Sequence, residues 1–162
     1  MAEAELEADI RTSLRKIYYG ASGEAQQAKA KIENPAGFLD RLIDLDRLPP
    51  WLTEADLDHC VGQFRTSGFR GGLNPYRISE RDFAQLAEVE DKRITQPAAF
   101  LAGELDHVLP MLSGVDLVES MRVRFDDLRL VKLFANTGHW LQQERPTDVN
   151  AALLAFLLGL PA

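Results

Sequence analysis

Hydrophobic positions recur with helical spacing from the start of the chain. Leu6, Ile10, Leu14 and Ile17 fall at i, i+4, i+8 and i+11, which places them on one face of a first helix that Gly20 to Gly23 ends. From Glu24 to Pro50 the pattern fades, and Asn34-Pro35 and Pro49-Pro50 read as loop signals in a long surface excursion. Thr53 with Asp56 three residues on has the form of a capping box. Leu57, Val61 and Phe64 follow as an apolar stripe, with Gly68 as C-terminal cap. A Gly-rich turn is expected over Gly68 to Tyr76, and Ser79 with Asp82 opens a further helix carrying Phe83 and Leu86.

After Thr95 the texture changes. Pro97 to Gly103 is a short apolar run, the mark of a strand buried on both faces. Ser113 and Asp116 are candidate caps of a helix through Met121, and Leu128 to Phe134 reads as a second strand. Pro146 suits the first turn of a last helix, whose buried face is predicted as Val149, Leu153, Phe156, Leu157 and Leu160. Strand, helix, strand, helix implies an α/β class with a parallel pair and a right-handed crossover. Two parallel strands are marginal alone and call for cover on both faces and at their edges. The second half therefore reads as the end of a larger sheet.

Length and composition narrow the class. With 162 residues and 46% in the broad hydrophobic set, one folded domain or slightly more is expected. The net charge of −7 argues against a nucleic-acid partner. There is no run of about 18 apolar residues, so no membrane span is expected. The acidic start Met1-Ala-Glu-Ala-Glu-Leu-Glu lacks the order of a secretion signal, and the single cysteine, Cys60, excludes an internal disulfide framework. A cytoplasmic setting fits these features.

In open α/β sheets ligands bind at the carboxyl ends of strands. Asp106 follows the first strand and His139 the second. Loops leaving adjacent strands, about 4.7–4.9 Å apart, can bring the two together. A carboxylate on one ring nitrogen fixes the tautomer and leaves the other as a general base. The bland alternative is a pair of solvated loop residues. His107, next to Asp106, should point away from it, and the three histidines lack metal-ligand spacing. His59 and Cys60 sit mid-helix, with Cys60 a small packing residue; Tyr18 and Tyr19 also read as packing, and Trp140 as a candidate flank of the site. Arg70-Gly71-Gly72 lacks the lysine pattern and preceding strand of a phosphate loop. No Gly-x-Ser-x-Gly nucleophile elbow occurs.

Residues 64–77, Phe-Arg-Thr-Ser-Gly-Phe-Arg-Gly-Gly-Leu-Asn-Pro-Tyr-Arg, resemble the cap-domain signature of α/β-hydrolase-fold epoxide hydrolases of the soluble type. Three other stretches agree. Ala2 to Glu7 is similar to the start of a cap helix, Pro97 to Asp106 to the strand and loop bearing the family's acid, and Gly138 to Asn150 to its histidine loop and last helix. The resemblance implies a partial α/β-hydrolase fold, with a helical cap remnant over 1–90 and, over 91–162, the last two parallel strands and their helices. It implies conversion of an epoxide and water to a vicinal diol, without a cofactor. In that chemistry an aspartate forms an alkyl-enzyme ester, a histidine activates the water that cleaves it, and cap tyrosines donate to the epoxide oxygen. Carried over, His139 matches the base, Asp106 its orienting acid and Tyr76 one cap tyrosine. The nucleophilic aspartate, the oxyanion-hole loop and the other tyrosine are expected in segments before Met1. A fragment inactive alone, open to self-association or to complementation by an N-terminal half, is the resulting expectation. The alternatives are a non-catalytic helical binding or oligomerisation module, and a haloalkane dehalogenase-type fragment, against which the Tyr76 context argues.

Overall fold

The computed structural model describes residues 2–28, 35–45, 47–86, 89, 91–109 and 117–160. The candidate caps Ser113 and Asp116, and Asn34, lie outside them. The chain forms two compact units. One comprises Met1–Gly20 and Ala30–Lys92, the other Ala21–Lys29 and Arg93–Ala162. Residues 21–29 thus pack with the second unit although they lie within the first 90.

In the first unit the predicted opening helix is two, α1 (Ala2–Ala8) and α2 (Ile10–Gly20). The break falls at Asp9, whose carboxylate accepts from the Thr12 amide at 3.1 Å and the Thr12 hydroxyl at 2.8 Å, an N-cap for α2. The buried Ser13 hydroxyl donates to the Leu6 carbonyl at 2.8 Å and binds the two pieces together. The apolar face survives the break: Leu6 and Leu14 are buried, with Ile10 and Ile17 packed on the same core. Against it lies α4 (Glu54–Ser67), opened by the Thr53–Asp56 capping box with both reciprocal bonds present. Leu57 and Val61 are its buried residues, and Arg11 of α2 pairs with Glu54 and Asp58, one turn apart on α4. Tyr18 and Cys60 belong to this packing, hydroxyl to sulfur 3.4 Å, and burial, with Cys60 alongside, pushes the phenol up to about 12.

The Gly-rich stretch is a correction. Gly68 alone makes the turn, at φ 64°, with its N–H on the Phe64 carbonyl at 2.8 Å. Helix α5 (Arg70–Arg77) follows directly, carrying Gly71, Gly72, Pro75 and Tyr76. Tertiary contact overrides the poor helix propensity of these residues. Phe69 is buried, stacks on Phe64 with centroids 4.5 Å apart, and donates its N–H to Glu7 at 3.1 Å. Helix α6 (Ser79–Leu86) completes the described part of this unit, with Phe83 and Leu86 exposed.

Several carboxyls of this unit titrate below their ordinary values. Bonds from Thr12 lower Asp9, the Arg15 guanidinium lowers Asp44, and Thr53 lowers Asp56. A carboxyl depressed in the folded state contributes stability above its unfolded value, about 3.9, and loses it as pH falls through the lower folded value. The first unit should therefore weaken as pH drops below about 4. Urea unfolding followed by Trp51 fluorescence in a Trp140→Phe background checks this; an unchanged midpoint between neutral pH and about pH 3 would contradict it.

In the second unit α3 (Gly23–Ala28) occupies part of the stretch expected to be an excursion. β1 (Ala98–Gly103) and β2 (Leu128–Phe134) pair in parallel, in register from Ala99 opposite Leu130 to Gly103 opposite Phe134. Between them in sequence lies α7 (Leu117–Arg124). β1 is less buried than its composition predicts. Only Ala102 and Gly103 are buried, because among the described residues β1 has a partner on one edge only. α8 (Leu141–Glu144) leads into α9 (Pro146–Leu158), with Pro146 at its first turn. The predicted face of α9 is also corrected. Val149 and Ala152 pack on Phe134 and Leu141, whereas Leu153 and Leu157 are exposed. α9 is apolar on most sides, so spacing alone does not choose the buried one.

Candidate active site

Both candidate residues sit just beyond the carboxyl ends of the paired strands. After β1 the chain turns at once, with the Glu104 N–H on the Phe134 carbonyl and the Leu105 N–H on the Thr137 carbonyl, each 2.9 Å. Asp106 thereby comes to rest beside the loop that leaves β2. Its Oδ1 accepts the Val108 N–H at 2.9 Å, which fixes the carboxylate within its own turn.

The loop after β2 is held as tightly. Asn136 takes the left-handed conformation at φ 56°, which Asn tolerates better than most residues. Thr137 is fully buried, with its hydroxyl on the Ala135 carbonyl at 3.0 Å. The Gly138 N–H reaches both oxygens of Glu144 at 3.1 Å, and Glu144 also accepts the Gly23 N–H at 2.9 Å. The His139 N–H donates to the Ala21 carbonyl at 2.8 Å. Gly138 and Gly103 lack room for a side chain. A Cβ on Gly138 would meet the Ala21 oxygen and the Ser22 carbonyl carbon at 2.5 Å, and one on Gly103 the Thr137 carbonyl carbon at 2.6 Å. Sequence reasoning missed Glu144. Its signal is a glycine N–H before the histidine that needs an acceptor in a close-packed loop.

The result is a short, specific contact: His139 Nδ1 lies 3.0 Å from Asp106 Oδ2. The acid side chain is 12% exposed and the imidazole 41%. With Nδ1 on the carboxylate, Nε2 is left to act on a ligand or water. Both residues line an open cleft of about 600 Å³ with Phe100, Leu101, Val108 and Trp140, the indole edge-on to the imidazole at 5.1 Å. His107 does not point away as expected. Its Nδ1 is 3.8 Å from Asp106 Oδ1, and its ring centroid is 5.5 Å from that of His139. Tyr76 belongs to the first unit, on α5, and is 80% exposed. Among the described residues no cluster of three or more His, Cys, Asp or Glu could hold a metal ion, and no helix is long and apolar enough to cross a membrane.

A half-exposed imidazole oriented by a buried carboxylate at adjacent strand ends can take a proton from water. Comparison with known proteins narrows the chemistry. The chain is 38% identical over 163 residues to epoxide hydrolase A of Mycobacterium tuberculosis, covering 99% of this chain and 49% of that protein. It is 32% identical over 180 residues to epoxide hydrolase B of the same organism, covering 96% and 50%. The chain is a homologue of the α/β-hydrolase-fold epoxide hydrolases. Among solved structures it is similar to epoxide hydrolase A from Mycobacterium thermoresistibile, with a TM-score of 0.83 and 40% identity over 99% of this chain and 50% of that one. An epoxide hydrolase from an endophytic Streptomyces gives a TM-score of 0.87 and 38% identity over 98% and 48%. No protein-family model matches. The chain spans about half the length of the epoxide hydrolases it matches.

Proposed function

We infer that this chain supplies the water-activating half of an epoxide hydrolase site, turning a small-molecule epoxide and water into a vicinal diol. The observation that carries the reading is the 3.0 Å contact between His139 and Asp106 at adjacent strand ends in a homologue of epoxide hydrolases. In this reading His139 Nε2 removes a proton from the water that cleaves an alkyl-enzyme ester. Asp106 holds the imidazole in the Nδ1–H tautomer and stabilises its cation. The phenol of Tyr76 donates to the epoxide oxygen, where an uncharged donor meets developing negative charge. The first unit serves as cap, and the second is core corresponding to the C-terminal part of the relatives. A cytoplasmic setting goes with the reading.

Neither a metal nor an organic cofactor has a part in these steps. The nucleophile that forms the ester has no match in residues 1–162, so the 162-residue chain by itself is expected to give no diol from styrene oxide. Diol formation by the purified chain, lost in His139→Ala, would contradict that. The positive test is a chimera in which residues 1–162 replace the matching stretch of the M. tuberculosis epoxide hydrolase A. A folded chimera that converts styrene oxide to its diol supports the proposal, and one that folds without turnover overturns it.

A specific observation favours a second reading, self-association. Leu154, Leu157 and Leu158 of α9 are 59%, 56% and 85% exposed, and each strand has an unpaired edge among the described residues. Size-exclusion chromatography separates this from a monomer.

A further inference from the structure

The Asp106 carboxylate faces two imidazoles. Oδ2 bonds His139, and Oδ1, while accepting the Val108 N–H, lies 3.8 Å from His107 Nδ1. The two rings are 5.5 Å apart and tilted by 55°. The other charged groups at this corner are Glu104 in the same turn, Glu144, whose oxygens are turned to the Gly138 and Gly23 amides, and Arg145, whose guanidinium reaches back to the Ala135 carbonyl at 3.5 Å. The α8 residues lining the cleft, Gln142 and Gln143, are neutral. His107 is the second cation-forming side chain set directly against the Asp106 carboxylate.

We propose that His107 is a positioning residue that acts through Asp106, competing with His139 for the shared carboxylate and so setting how far the pH can fall before His139 is lost as a base. This rests on the reading of His139 as the water-activating group. When His107 takes up a proton, its charge is drawn to Oδ1 and opposes a second proton on the ring 5.5 Å away. A charge on either ring thus opposes a charge on the other. With the water-like screening suited to half-exposed groups, Coulomb's law at that separation amounts to about half a pH unit.

The chain holds three histidines, so imidazole proton NMR of the full 162-residue chain can follow each ring, with His59 in the first unit as internal control. His107→Gln should raise the His139 titration midpoint by about half a pH unit, and His139→Gln should raise that of His107 by the same amount, since linkage is reciprocal. Both shifts should shrink in about 1 M salt, where the screening length is near 3 Å. Asp106→Asn should lower both midpoints and leave His59 in place. A His139 midpoint that moves less than about 0.1 unit in His107→Gln overturns the proposal, as does one that ignores Asp106→Asn. A packing role for His107 predicts no reciprocal, salt-sensitive shift. The readout needs no turnover, so failure of the epoxide hydrolase reading and failure of this coupling are seen separately.

Discussion

Gly138→Ala is expected to unfold the second unit or leave it without an ordered His139 loop. A Cβ there has nowhere to go. It would meet the Ala21 oxygen and the Ser22 carbonyl carbon at 2.5 Å, with the Gly23 nitrogen closer still. These are backbone atoms, so no rotamer change makes room. Relief would require moving either the loop or residues 21–23, and both are pinned, the first through Glu144 and the second through the His139 N–H on Ala21. Overpacking of this kind costs on the order of 3 kcal/mol, a large share of what holds a small domain together. Urea unfolding followed by Trp140 fluorescence in a Trp51→Phe background should show the loss, with the first unit's transition, reported by Trp51 in the complementary background, unchanged. Glu144→Gln is the milder companion. Oε2 alone already accepts from both amides, so an amide oxygen can still reach them, but without the charge that strengthens both bonds. A Gly138→Ala variant with wild-type stability would mean that the close approach of the 21–23 segment does not hold the histidine loop.

How far the sequence reveals this architecture depends on how local the determining physics is. Helix α4 was readable to the residue because its signals lie within a few positions of one another: Thr53 on Asp56, an apolar stripe, Gly68 at positive φ. The two strands were legible as apolar runs, and their parallel pairing follows from the helix between them. The Asp106–His139 contact could be anticipated because both residues follow strands that neighbour one another. What escaped is what depends on distant chain. The break at Asp9 trades a helical turn for a cap, and the hydrophobic spacing runs straight across it. Helix α5 forms through two glycines and a proline because Phe69 and Leu73 are drawn into the first unit's core. α3 is short and weakly patterned, and what defines it is the Gly23–Glu144 bond, which spans 121 positions of sequence. The same non-locality hid His107. Adjacent side chains usually diverge, yet the turn after β1 leaves Oδ1 of Asp106 beside the next residue's ring.

In a chimera with the M. tuberculosis epoxide hydrolase A, His139→Gln is expected to lower steady-state diol formation by about 10²–10⁴-fold, the usual contribution of a positioned general base. The manner of the loss is the informative part. On the proposed reading, ester formation uses a nucleophile from outside residues 1–162 and does not require the imidazole. Its hydrolysis does. The variant should therefore consume about one equivalent of epoxide and stop, with the alkyl adduct visible by intact mass. Asp106→Asn should fall in the same direction by a smaller factor. The amide oxygen can still accept the Nδ1–H, so the geometry at 3.0 Å is kept, but the neutral side chain no longer stabilises the imidazolium that forms as water is deprotonated. Tyr76→Phe tests the other end of the reaction. A lost phenol donor should slow ester formation itself, so this variant should show a slow adduct and no accumulation. If His139→Gln instead fails to form any adduct while staying folded, the histidine acts before the ester. Water activation would then be the wrong role for the pair at the strand ends.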